Sequence, residues 1–110
     1  MGKPLIPAET QVEVTSLIES FNAKVYKGSA DLYYMPRFKG GFLYLDRKEY
    51  NNISPVARLG YTGDIHKWDF AIFKWSSETY DPHEYFFPGV QFVDGTIEGA
   101  MKAGIEAYPV

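Results

Sequence analysis

This 110-residue sequence predicts an α+β fold: a two-layer domain with a four-stranded antiparallel meander and N-terminal and C-terminal helices. Three observations carry the prediction. Two stretches rich in aromatic and aliphatic residues are each broken near their centre by a turn signal, Gly40-Gly41 in one and Gly63-Asp64 in the other. Each hairpin, once paired, sorts its side chains into one apolar face and one face that mixes rings with charge. Near each end of the chain, apolar residues recur at helical spacing along a single stripe. Two one-sided helices can cover the one apolar face of a sheet. Length and the absence of any repeat or linker make residues 1–110 one domain.

Residues 1–7 contain Pro4 and Pro7 and read as an extended lead-in. A helix begins at Ala8. Val14, Leu17, Ile18 and Phe21 fall at i, i+3, i+4 and i+7, and Glu9 and Glu13 complement the dipole at its start. Asn22 is a candidate terminator, and Gly28-Ser29 is a clearer break. A helix lying on a membrane would carry a basic polar face, whereas this one is acidic, so the stripe reads as cover for the sheet. In the first hairpin, pairing Lys39 with Phe42 puts Leu32, Tyr34, Phe38, Leu43 and Leu45 on one face. Tyr33, Met35, Arg37, Tyr44 and Asp46 fall on the other. Pro36 cannot donate to a ladder, so the strand over 31–38 belongs at an edge of the sheet. Asn51-Asn52 make the loop into the second hairpin.

That second hairpin runs from Ser54 to Trp75. With Thr62 opposite Lys67, the next pairs are Tyr61 with Trp68, Leu59 with Phe70 and Ala57 with Ile72, all on the apolar face. Val56, Arg58, Gly60, Asp69, Ala71, Phe73 and Trp75 fall on the other face. A slip of one residue in either strand mixes the two sets, which supports the pairing. Beyond Trp75 lies a long acidic and aromatic segment broken by Pro82 and Pro88. It reads as an ordered loop with a short strand near Gln91-Phe92-Val93. The last helix is capped by Asp94 or Thr96, carries Ile97, Ala100, Met101, Gly104, Ile105 and Tyr108 on one stripe, and stops at Pro109. Placing both helices on the apolar face leaves the other face bare. Placing them on opposite faces removes the open surface.

Pro55-Val56-Ala57-Arg58, then Tyr61 and Trp68, behind an N-terminal helix and a first hairpin, resembles a family of small bacterial domains of unknown function. The likeness covers roughly residues 8–80 and implies the order helix, four-strand meander, helix. It implies no chemistry and assigns no functional residue.

Composition narrows the function classes. There is no cysteine, which excludes disulfides, thiolate metal sites and cysteine nucleophiles. No apolar run has the length of a signal peptide or a membrane span, so the expectation is a cytoplasmic protein with no membrane partner. Met1-Gly2 is not followed by Ser or Thr at position six, so the myristoylation pattern fails. Neither a phosphate-cradling Gly-Lys-Ser/Thr loop nor a Gly-x-Ser-x-Gly elbow is present, and no cofactor is expected. Charge is uneven. Residues 23–75 hold nine Lys and Arg against five Asp and Glu, or +4, while 1–22 carry −2 and 76–110 carry −5.

Two sets of residues are candidates for function. One is a binding face of Tyr33, Met35, Arg37, Tyr44, Arg58, Phe73 and Trp75, where flat rings adjoin guanidinium groups. Such a face suits a protein partner or homodimer, because Tyr, Trp and Arg dominate binding hot spots. It also suits stacking on single-stranded nucleic acid, a partner the negative net charge makes second choice. Against both stands the alternative that the acidic loop, with Tyr85, Phe86 and Phe87, folds over these residues as core. The other set is a polar cluster: Asp81, His83 and Glu84, with His66 and Asp64 in the central turn. A histidine beside carboxylates is what a general base or a metal site needs, although adjacent residues in a Pro-containing loop rarely converge on one ion. The expectation is therefore no catalytic residue and no metal.

Overall fold

The computed structural model describes residues 3–110. Helix α1 spans Ala8–Val25, strands β1 Leu32–Lys39, β2 Phe42–Glu49, β3 Asn52–Gly60, β4 Asp69–Lys74 and β5 Thr79–Asp81, and helix α2 Ile97–Ala107. The strands form one sheet in the order β1-β2-β3-β4-β5, every neighbouring pair antiparallel. The fold is α+β with a meander, as expected, but the sheet has five strands and not four. The fifth lies inside the segment expected to be loop. It is only three residues long and ends at Pro82, too short to show a period-two pattern. The strand expected at Gln91–Val93 is instead a turn of 3-10 helix, Val90–Phe92, entered through Gly89 at φ +100°.

The β1–β2 register is the one alternation predicts, with Lys39 opposite Phe42, Arg37 opposite Tyr44 and Tyr34 opposite Arg47. Between β3 and β4, Leu59 opposes Phe70 and Ala57 opposes Ile72, also as predicted. The ladder stops at Gly60 and Asp69, however, so the connection is a wide loop and not a tight turn. Tyr61 and Trp68 still meet, ring centroids 5.0 Å apart, and the Thr62 hydroxyl donates to the Lys67 carbonyl.

One register shift corrects the face assignment. Leu45 opposes Ala57 and Asp46 opposes Pro55, which leaves Val56 as an extra residue on β3. This bulge turns Val56 off the open face and into the core, where it is 1% exposed. Strict alternation has no means of anticipating an inserted residue.

The core draws on the sheet and on residues of both helices. Val14, Ile18 and Phe21 of α1 and Ile97, Ala100 and Met101 of α2 share one buried cluster with Tyr34, Leu43, Leu45 and Leu59. Leu17, counted in the helical stripe, stays largely exposed at its border. Helix α1 runs past Asn22 because that side chain has another task. Its amide donates to the Tyr34 carbonyl at 2.9 Å and accepts from the Tyr34 N–H at 2.8 Å. Asn22 thus occupies, in place of a sixth strand, the outward backbone groups of edge strand β1, where Pro36 also sits. Helix α2 is capped by Thr96, whose hydroxyl accepts from the Gly99 N–H at 3.0 Å, while Asp94 accepts from Thr96 in turn. Tyr34 closes the arrangement by donating its hydroxyl to the Met101 carbonyl at 2.8 Å.

Candidate functional site

The ring-bearing face is built by cross-strand neighbours, which share a face of the sheet. Arg37, Tyr44, Arg58 and Ala71 lie across four strands in one row, and Phe73 opposes Tyr80 on the last pair. Their rings form a chain. Phe42 lies 6.3 Å from Tyr44, Tyr44 5.3 Å from Tyr80, Tyr80 5.1 Å from Phe73, and Phe73 5.0 Å from Trp75. The last three contacts are edge-to-face, the arrangement the ring quadrupoles favour. Two guanidinium groups complete the surface. Arg37 stands 4.3 Å over Tyr44 while bonding Asp46 at 3.0 Å, and Arg58 stands 4.6 Å over Phe42 and 5.6 Å from Tyr80. Burial first, and the neighbouring Asp46 carboxylate second, hold the Tyr80 hydroxyl above the usual tyrosine range against the opposing effect of Arg37. These contacts hold the side chains of the face against one another.

The seven residues expected on this face divide by exposure. Arg37 and Trp75 are exposed, Trp75 at 53%, while Tyr33, Met35, Tyr44 and Arg58 are half-buried. Phe73 is a correction: it is only 8% exposed, because Trp75 and Tyr80 pack against its ring. Two members were missed. Phe42 has the same parity as Tyr44 and was legible from alternation, whereas Tyr80 depends on β5, which was not.

Beyond β5 the long acidic segment leaves this face. Phe87 stacks on Phe70 at 6.0 Å, on the apolar side of β4, and Gly89 abuts Ala103 of α2. On that same side Lys74 pairs with Glu84 at 3.1 Å and Asp81 at 3.6 Å. Tyr85 and Phe86 point away from the core, with Phe86 95% exposed.

Charge is sorted by face as well as by sequence position. Among the described strand residues together with Lys3, the ring-bearing side holds Lys3, Arg37, Lys39, Lys48 and Arg58 against Asp46 and Asp69, five cations against two acids. This is +3 on a chain whose formal charge is −3. Gly60, having no Cβ, lets the Lys3 side chain lie across the end of β3 and pair with Asp69. Arg37 pairs with Asp46. Lys39, Lys48 and Arg58 have no carboxylate partner among the described residues.

The polar cluster takes a different form. His83 is an exposed turn residue whose backbone N–H donates to Asp81 at 2.8 Å, and His66 sits likewise with its N–H on Asp64 at 2.9 Å. Asp81 and Glu84 face Lys74. The Phe86 N–H and Lys74 together hold the Glu84 carboxyl below the usual glutamate range. Among the described residues, no three His, Asp or Glu side chains are placed to share a metal ion.

Two further features escaped the sequence reading. A groove of about 540 Å³ runs between α1 and the start of α2, with Phe21, Ile97 and Met101 in its wall and Lys24 and His66 at its rim. Its other charges are occupied locally, Glu98 by Lys102 and Asp94 by Thr96. The second feature is Arg47, 1% exposed on the apolar side of β2. Its guanidinium bonds Glu49 at 2.7 Å and the Tyr108 carbonyl, and lies 5.7 Å from the Tyr34 ring centroid. Ser54 donates to Glu49 at 2.9 Å. With its partners supplied by the fold, this network ties the C-terminal segment to the sheet. Comparison with protein families, with curated proteins and with solved structures found no match.

Proposed function

We propose that this chain is a non-catalytic interaction module that contacts a protein partner through its ring and guanidinium sheet face. One observation carries the reading: among the described residues, a chain of five rings capped by two arginines has neither a helix nor the acidic segment beyond β5 packed over it. A two-layer arrangement, with both helices on the Leu43, Leu45 and Leu59 side, supports it, because the second face is then left without a helix over it among the described residues. Tyr, Trp and Arg are the residue types that dominate protein hot spots, and here they are already ordered by one another. The surplus of positive charge selects an acidic partner and speeds its encounter.

Titration with a panel of fluorescein-labelled peptides rich in Glu and Tyr, alongside a short oligothymidylate, tests the reading. Peptide binding that weakens about tenfold in Arg58→Glu and in Trp75→Ser, with folding unchanged, is the expected result. Binding of the oligonucleotide alone moves the face to single-stranded nucleic acid, where the same rings would stack on bases. Binding of neither probe defeats the proposal.

A further inference from the structure

The ring-bearing face and the acidic loop that leaves β5 at Asp81 complement each other, yet Tyr85 and Phe86 of that loop do not pack on the face in their own chain. The face is basic and apolar. The loop from Asp81 to Phe87 carries Asp81 and Glu84, with Glu78 just ahead of β5, and presents Tyr85 and Phe86 to solvent, Phe86 at 95% exposure. Lys74 alone offsets its acids in cis, reaching Asp81 and Glu84 and leaving Glu78 without a cation among the described residues. The segment is also held in shape. The His83 N–H is on Asp81 and the Phe86 N–H on Glu84, both at 2.8 Å, and Phe87 is stacked against Phe70. An exposed aromatic pair on an ordered acidic loop is a ready-made ligand for a basic aromatic surface.

Resting on the interaction-module reading above, we propose that the occupant of the sheet face is a second copy of this chain, docked through its Asp81–Phe86 loop. Charge decides between this and a simple face-to-face pairing. Two copies of a +3 face placed against each other bring like charges together, which disfavours the contact. The acidic segment instead meets Arg58, Lys39 and Lys48 with opposite charge, and Phe86 finds rings in place of water. The contact joins unlike patches. Reciprocated across a two-fold axis it closes as a dimer, and unreciprocated it adds copies head to tail.

Sedimentation of the full chain at micromolar concentrations reads the assembly directly. The wild type is expected to self-associate, with weaker association as salt rises. Phe86→Ser, which removes the ligand, and Arg58→Glu, which reverses the charge of the receptor, are each expected to weaken it about tenfold or more. Should Arg58→Glu fail to fold by circular dichroism, Lys39→Glu with Lys48→Glu replaces it. Mixing is the decisive arm. The Phe86→Ser chain keeps an intact face and the Arg58→Glu chain an intact segment, so equimolar mixing restores a hetero-complex that neither forms alone. Association unaffected by both variants places the interface elsewhere and overturns the inference. A strict monomer that does not bind the peptide of residues 76–90 overturns it too. If such a monomer binds the acidic peptide panel, the module reading stands without this occupant; if it binds no peptide, both fall.

Discussion

At the scale of the residue, Tyr34 connects the most parts. Its backbone is held by Asn22 and its hydroxyl donates to Met101, while the Arg47 guanidinium lies near its ring. Burial first keeps the hydroxyl well above the usual tyrosine range, partly opposed by Arg47. The sign of the linkage follows. The folded chain retains a proton that the unfolded chain loses near pH 10, so this stability is fully present below about pH 10 and declines as pH rises toward the folded value. Urea midpoints are expected to fall between neutral pH and about pH 11, with a shallower decline in Tyr34→Phe. Tyr26, Tyr80 and Tyr108, also raised by burial, keep some slope in the variant. Identical slopes would assign the effect to those three alone. A plainer test concerns Leu59, which is 1% exposed opposite Phe70. Leu59→Ala is expected to cost about 2–5 kcal/mol from lost transfer energy and a residual cavity, and a loss below about half a unit would contradict its burial.

At the scale of the element, close approach of α2 to the sheet depends on Gly104. A Cβ added there would stand 2.4 Å from the Tyr34 hydroxyl and 2.5 Å from a Val56 methyl. Alanine would improve helix propensity by about 1 kcal/mol. The clash opposes this, since overpacking costs about 1–3 kcal/mol and the Tyr34 ring cannot shift without breaking its bond to Met101. Gly104→Ala is therefore expected to lower stability in urea unfolding, and adding Tyr34→Phe to recover part of the loss by removing the hydroxyl. A neutral or stabilising Gly104→Ala would mean the helix sits further out. How much of each element was legible follows from the same local physics. The two hairpins could be paired to the residue because a one-residue slip mixes Leu43 and Leu59 with Tyr44 and Arg58. The caps and stripe of α2 could be read because Thr96 and the apolar spacing are local signals. Val56 could not be placed, since a bulge leaves no mark on alternation, and β5 could not, since three residues before a proline carry no period.

At the scale of the molecule, the unresolved matter in the sequence was where residues 76–95 go. Their aromatic residues were equally suited to covering the ring-bearing face or leaving it bare, and only tertiary packing decides. Phe87 on Phe70 commits the part beyond β5 to the Leu59 side of the sheet, and β5 adds Tyr80 to the ring-bearing face at its edge. This makes two neighbouring rings unlike in consequence. Phe73, 8% exposed beneath Tyr80 and Trp75, has become part of what holds β4 to β5. Trp75, 53% exposed past the end of the ladder, is available to a partner. Phe73→Ser is expected to cost about 3–5 kcal/mol, in the range of large aromatic truncations in cores. Trp75→Ser is expected to cost less than about 1 kcal/mol, as removal of a side chain left largely in water should. Trp68, buried against Tyr61, remains as the fluorescence reporter of unfolding in both variants. The two measurements together separate stability from contact: urea unfolding should distinguish the variants strongly, while peptide binding should be weakened in the stable Trp75→Ser chain. A Trp75→Ser chain that unfolds as readily as Phe73→Ser would make the whole row of rings part of the core, and the sheet face would lose its claim as a binding surface.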